Sequence, residues 1–340
     1  MGFTHFPNGL TSFGIPQYGG GLGPIGIGCG DIYYVVTSKA SSNLYYQRLK
    51  EHGIPGSDIF TTLALAYAAT TGDQNDVIAV TPGAYTVTAE LEWDKDQTHL
   101  IGLGGPNQRY CPTTATGGAV KFYCATTSID SILSISGDYN QFYGFQTQNT
   151  FSANANRADI IIGGKNTYMN NVHARGGNGA SQLNHADGGV PLIFESAGGD
   201  GFFAERCQFG TAGNNARTVG AGAVLFESVS SAYAPLFKEC RFEMNSDTNA
   251  SSNPKLIHLA ADYAINALLL FERCSFYVRS DTGIKMDYAI VDACTTQHQI
   301  GLMDCISIGI DYWCNVADYT FTNTADAVGY GGKGIVITTG

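Results

Sequence analysis

FFAERCQF (Phe202–Phe209), PLFKECRF (Pro235–Phe242) and LLFERCSF (Leu269–Phe276) share the pattern apolar-x-x-Cys-x-Phe, and GLMDCISI (Gly301–Ile308) is a weaker copy. Cys207, Cys240, Cys274 and Cys305 are separated by 33, 34 and 31 residues, and Val172 holds the same place 35 residues before Cys207. A second apolar element, at residues 160–162, 192–194, 224–226, 256–257 and 289–291, recurs every 32 or 33 residues and keeps phase with the first. Each repeat therefore holds two or three short β-type runs separated by Gly, Asn, Ser and Asp. Helical repeats of similar period need two helices per unit, which these turn-rich stretches exclude. Short strands at this period predict an all-β solenoid, a parallel β-helix in which each repeat is one coil and like positions stack about 4.8 Å apart.

Stacking accounts for the charges between the apolar residue and the Cys. Read from coil to coil, one column is Glu205, Lys238, Glu272 and the next is Arg206, Glu239, Arg273. Opposite charges meet at every step, which favours this register over a slipped one. Inside, Val172, Cys207, Cys240 and Cys274 are expected to form one core ladder and Phe209, Phe242 and Phe276 another. The 9 cysteines form no CxxC pair, so they are read as buried reduced thiols and not as a metal or redox site. No cofactor and no metal is expected.

The chain has 340 residues, a formal charge of −11, only 14% charged residues, 44% apolar residues and 43 Gly. An acidic chain without a basic run is a poor partner for nucleic acid. No apolar run reaches the roughly 18 residues of a membrane span, and the N-terminus lacks the layout of a signal peptide. Neither nucleic acid nor membrane is expected as a partner.

Residues 57–71 (SDIFTTLALAYAATT) are the strongest helix signal, with Ser57 or Asp58 as cap, Phe60, Leu63, Ala64 and Tyr67 on one face, and Gly72 as terminator. Then follow Pro82-Gly83-Ala84-Tyr85 and Leu100-Ile101-Gly102-Leu103-Gly104. This stretch resembles the opening of right-handed parallel β-helices of the pectate-lyase-like superfamily, where a short helix plugs the barrel before the first coils. The resemblance spans roughly residues 57–314, and the 264 residues from Val77 to Gly340, at 33 per repeat, make about eight coils. The resemblance implies little about function, because that superfamily holds lyases, hydrolases, epimerases and non-catalytic viral proteins. Three regions are expected: an extended arm at 1–31, a linker and first strand at 32–56, and the helix-capped solenoid at 57–340.

The arm is rich in Gly and Pro and nearly uncharged, and Phe3, Phe6, Phe13, Ile15 and Tyr18 are read as anchors that bury themselves on a partner. FPNGLTSFGIP (Phe6–Pro16), followed by a Gly-rich run and DIYYVV (Asp31–Val36), resembles the N-termini of tailed-phage virion proteins. That resemblance implies a non-enzymatic protein made in the bacterial host cytoplasm. It would decorate or cement the head of a phage particle, bind major capsid protein or other virion subunits, and form a homotrimer. The alternative is a glycan-binding or glycan-cleaving tailspike or fibre domain acting on a host surface glycan.

Candidate chemistry is sparse. The Asn-Thr-Asp, Asp-Asp, Gly-His-Gly and Arg-Ile-Lys signature of polygalacturonase-like hydrolases is absent. Phe194-Glu195-Ser196 and Phe226-Glu227-Ser228 lie 32 apart, which stacks Glu195 on Glu227, with His258 one position earlier in the next coil. Two such carboxylates can share a proton, hold a cation or act as acid and base. The reading preferred from sequence is a solvent-facing corner where they fan apart. The long turn from His173 to Gly189 carries His173, Arg175, His185 and Asp187. His185 and Asp187 could orient each other, but no nucleophile completes a site, so a structural or subunit-contact loop is preferred.

Overall fold

The computed structural model describes residues 30–104, 119–124, 129–149, 157–177, 188–195, 199–210, 216–217, 219–227, 231–246, 254–260, 264–265, 268–279, 286–293 and 299–315. It also describes the short strands at 11–12, 15–16 and 334–337. The chain winds into a right-handed parallel β-helix. Sheet 1 holds Thr98–Gly102, Gln141–Tyr143, Tyr168–Asn170, Phe203–Glu205, Leu236–Lys238 and Leu268–Glu272. Sheet 2 holds Val120–Cys124, Gln146–Asn149, His173–Ala174, Gln208–Gly210, Arg241–Asn245 and Ser275–Arg279. Sheet 3 has eight strands: Leu91–Trp93, Leu133–Ile135, Ala158–Ile162, Val190–Phe194, Ala221–Phe226, Lys255–Leu259, Met286–Asp292 and Ile310–Cys314.

Repeat phase becomes register. Phe209 pairs with Phe242 and Phe242 with Phe276, with rings stacked at 5.7 and 5.0 Å. Ile160, Leu192, Val224, Ile257 and Ile290 line up in sheet 3. Between sheets 1 and 2 the backbone amides of Gln208, Arg241, Ser275 and Ile306 donate to the carbonyls of Val172, Cys207, Cys240 and Cys274. Those four residues and Cys305 are thus piled one per coil, and all are buried. The thiols of Cys240, Cys274 and Cys305 donate to carbonyls of the preceding coil at 3.3–3.4 Å, which satisfies a weak donor in a dry column.

The charge columns close as pairs on the outer face. Lys238 lies 3.1 Å from Glu205, and Arg273 lies 3.0 Å from both Glu239 and Glu272. Another outer ladder runs through a corner where the carboxylates of Asp96, Asp138 and Asp200 each accept a backbone N–H of the next coil at 2.7 Å.

The N-terminal cap differs from the expected helix at 57–71. Gly56–Asp58 form a 3-10 turn, and Ile59–Phe60 pair as a strand with Tyr34 and Val35. Helix α2 begins only at Leu63 and ends at Ala69, and its cap is Thr62, whose Oγ1 accepts from the Leu65 amide at 3.3 Å. Helix propensity at Ile59 and Phe60 loses to strand pairing, the burial of Ile59 and the partial burial of Phe60. Leu63, Ala66 and Tyr67 plug the mouth of the barrel, with the Tyr67 ring 4.5 Å from Trp93.

The region 32–56 holds a helix that the sequence reading leaves out. Helix α1 (Leu44–Glu51) is capped by Asn43, whose Oδ1 accepts from the amides of Tyr45 and Tyr46. Its Leu49, Tyr45 and Tyr46 pack on an outward apolar patch that includes Tyr34, Val77, Ala79 and Ile101. At the other end Gly334–Ile337 pair antiparallel with the strand Gln299–Ile308. In the arm, Thr11–Ser12 pair antiparallel with Ile15–Pro16. Phe3, Phe6, Phe13 and Tyr18 lie outside the described residues, and for Ile15 only the backbone is described.

Candidate functional site

Glu195 and Glu227 directly follow two neighbouring strands of sheet 3, Val190–Phe194 and Ala221–Phe226. The Glu195 amide donates to Ile162 O and the Glu227 amide to Phe194 O, so the two residues occupy the same place one coil apart. Gly163 precedes them in this column and Ala260 follows, which confines the carboxylates to two coils. They do not fan apart, contrary to the reading preferred from sequence. Arg157, just ahead of the strand Ala158–Ile162, draws them together: its Nη1 lies 2.7 Å from Glu195 Oε1 and its Nη2 2.6 Å from Glu227 Oε1. Asp130, one coil earlier, adds a carboxylate 3.2 Å from Nη1.

All four side chains are 26–41% exposed, so the network is open to solvent on the outer face. Burial, together with the neighbouring Glu195 carboxylate, holds Glu227 above the ordinary carboxylate range against the pull of Arg157. Burial opposes the guanidinium charge, yet Glu227, Glu195 and Asp130 together raise its pKa. Both glutamates are paired to Arg157, and two adjacent carboxyls of which one is raised by burial have the makeup of an acid and base pair.

The track extends toward the mouth of the barrel. Glu90 is raised by burial and then by the Asp130 charge. It lines a groove of about 470 Å³ with Thr62, Leu63, Thr86 and Thr88, between the start of α2 and the first coil.

The other sequence candidates separate. His258 faces Lys255, whose Nζ is 2.9 Å from its Nε2, and it is in register with Leu225, away from the Glu195–Glu227 column. Burial and then Lys255 push its pKa down to about 4. His173 is buried on sheet 2 between Gln146 and Gln208, with Nε2 3.3 Å from Gly210 O, and burial with Arg175 lowers it to about 3. It stays neutral and is no acid. His185 and Asp187 lie outside the described residues. Arg157 and Asp130 carry no repeat signature, because Arg157 reaches Asp130 in an earlier coil and Glu195 and Glu227 in later ones. Among the described residues no group of His, Cys, Asp and Glu is arranged to hold a metal ion, and no helix is long and apolar enough to cross a membrane.

No protein-family profile and no curated protein sequence matches the chain. Solved structures do. Pectin methylesterase PemA from Erwinia chrysanthemi superposes with a TM-score of 0.51 at 15% identity, over 89% of this chain and 85% of that one. A pectin methylesterase in complex with hexasaccharide VII gives 0.51 at 15% identity, over 83% and 80%. At such identity the likeness establishes the parallel β-helix. It also overturns the expectation of a non-enzymatic protein, since the solved structures it resembles are enzymes. The expected place in a phage particle gains no support from them.

Proposed function

We propose that this β-helix binds and cleaves an extended glycan on the outer face of sheet 3. The observation that carries the reading is the pair of partly exposed carboxylates, Glu195 and Glu227, stacked one coil apart and clamped by one guanidinium. The groove beside Glu90, at the mouth of the barrel, gives a polymer a second place to lie.

In this scheme Glu227 keeps the proton and gives it to the leaving glycosidic oxygen. Glu195, ion-paired to Arg157, attacks the anomeric carbon from the other side. Water, deprotonated by Glu227, then releases the sugar from Glu195 and restores both groups. Arg157 fixes the two carboxylates in one geometry, while Asp130 orients the guanidinium.

The test is incubation with bacterial capsule and lipopolysaccharide, followed by assay of new reducing and unsaturated ends. Glu227→Gln and Glu195→Gln should each lower the rate about 100-fold or more. Unchanged rates in both variants, or no new ends with the unaltered protein, would remove this reading. Unsaturated ends would replace hydrolysis by elimination.

A further inference from the structure

Resting on that glycan reading, we infer that the site selects a sugar bearing no carboxylate and discriminates against polyuronates. Arg157 is surrounded by acids at 3.2 Å (Asp130), 2.7 Å (Glu195) and 2.6 Å (Glu227). Its charge is therefore committed before any ligand arrives. Three carboxylates face a single guanidinium, so the cluster keeps an excess negative charge even with one of them protonated. Glu90, close enough to feel Asp130, continues the acidic track toward the groove.

The other charged groups described on this face do not reverse the sign. Glu92 stands outward one coil from Ser134. Lys255 contacts His258, and Asp292 is buried in the next coil. The whole chain adds a net −11. An arriving uronate would meet like charge where it needs a cation, and displacing Glu195 or Glu227 from Arg157 would strand a carboxylate. A neutral pyranose donates its hydroxyl protons to the same carboxylates without that penalty.

The experiment uses polygalacturonate and alginate, each beside its carboxyl-reduced, uncharged counterpart with the same linkage. Binding to the full chain is measured by affinity electrophoresis at about 20 mM and 300 mM NaCl. The reduced polymers should bind about tenfold more tightly at low salt, with the gap shrinking at high salt as screening shortens the field. Asp130→Asn should narrow the low-salt gap about threefold. Equal or tighter binding of the parent polyuronates at low salt would overturn the selectivity, and if cleavage still depended on Glu227 the catalytic reading would survive. A gap indifferent to salt and to Asp130→Asn would also overturn it. Failure to bind any of the four polymers would overturn this inference together with the glycan reading.

Discussion

Glu239 holds its backbone at φ 54°, and Arg206, Arg273, Asp304 and Asn171 do the same at the same corner of neighbouring coils, with Gly144 opening the series at φ 68°. The left-handed turn lets each amide reach the carbonyl of the next coil while the chain bends from sheet 1 to sheet 2. A side chain there costs about 1–2 kcal/mol, less for Asn, and glycine avoids the cost. Charged residues occupy the corner because their heads pair outside, as Glu239 does with Arg273. Since an exposed pair is worth about 0–1 kcal/mol, Glu239→Gly should leave stability unchanged or raise it by up to about 1 kcal/mol. Glu239→Val should lower it by about 2 kcal/mol, because a β-branched residue resists positive φ. Chemical denaturation of the two variants checks this, and a destabilised Gly variant with a neutral Val variant would contradict it. The alternation of charge at this corner was readable from the sequence, but the strained backbone beneath it was not.

A single column can be tested as an element. Glu205, Lys238 and Glu272 lie in register on sheet 1, and Glu205 also accepts from Tyr168 Oη and Asn170 Nδ2 at 3.1 Å. Burial tends to raise its pKa, but the hydrogen bonds from Lys238 and Tyr168 prevail and leave it low. Lys238→Glu would place three carboxylates in consecutive coils and should cost about 1–2 kcal/mol, while Lys238→Met should cost less than half as much. Equal losses in urea denaturation would mean the column contributes shape and not charge. The capping elements were less legible than the columns. Ile59 and Phe60 belong to an apolar run that suits a helix as well as a strand, and only the free edge beside Tyr34 and Val35 decides for the strand. Helix α1 has a polar sequence, and its reason to form is the outward patch around Tyr34 and Ile101, which arises only once the coils are stacked.

For the whole molecule, stability against pH depends on groups folded away from water. Burial takes His99 down to about 4 and His173 to about 3, and burial with Lys255 takes His258 to about 4. Folded values below the unfolded one of about 6.5 mean that the unfolded chain takes up protons first, so stability is full above that pH and drains as pH falls toward 4. Asp159 acts oppositely: burial raises it to about 6 despite hydrogen bonds from the Gly176 and Asn149 amides, so its contribution is present below pH 4 and lost as pH rises through 6. Three histidines outweigh one aspartate, since each pKa unit is worth about 1.4 kcal/mol. The thermal midpoint should therefore fall steadily between pH 6.5 and 4, and His173→Gln should flatten that slope. A midpoint constant or rising over that interval would contradict the account. By itself the sequence determined the solenoid, its coil period, the thiol and phenylalanine ladders and the stacking of Glu195 on Glu227. All of these follow from local spacing, because equal intervals along the chain become equal positions in space. Only the tertiary structure decided that Arg157 and Asp130 join those glutamates, that His173 is a neutral buried group and where the caps fall. Those outcomes depend on side-chain reach across coils and on what covers each surface, and neither quantity repeats with the chain.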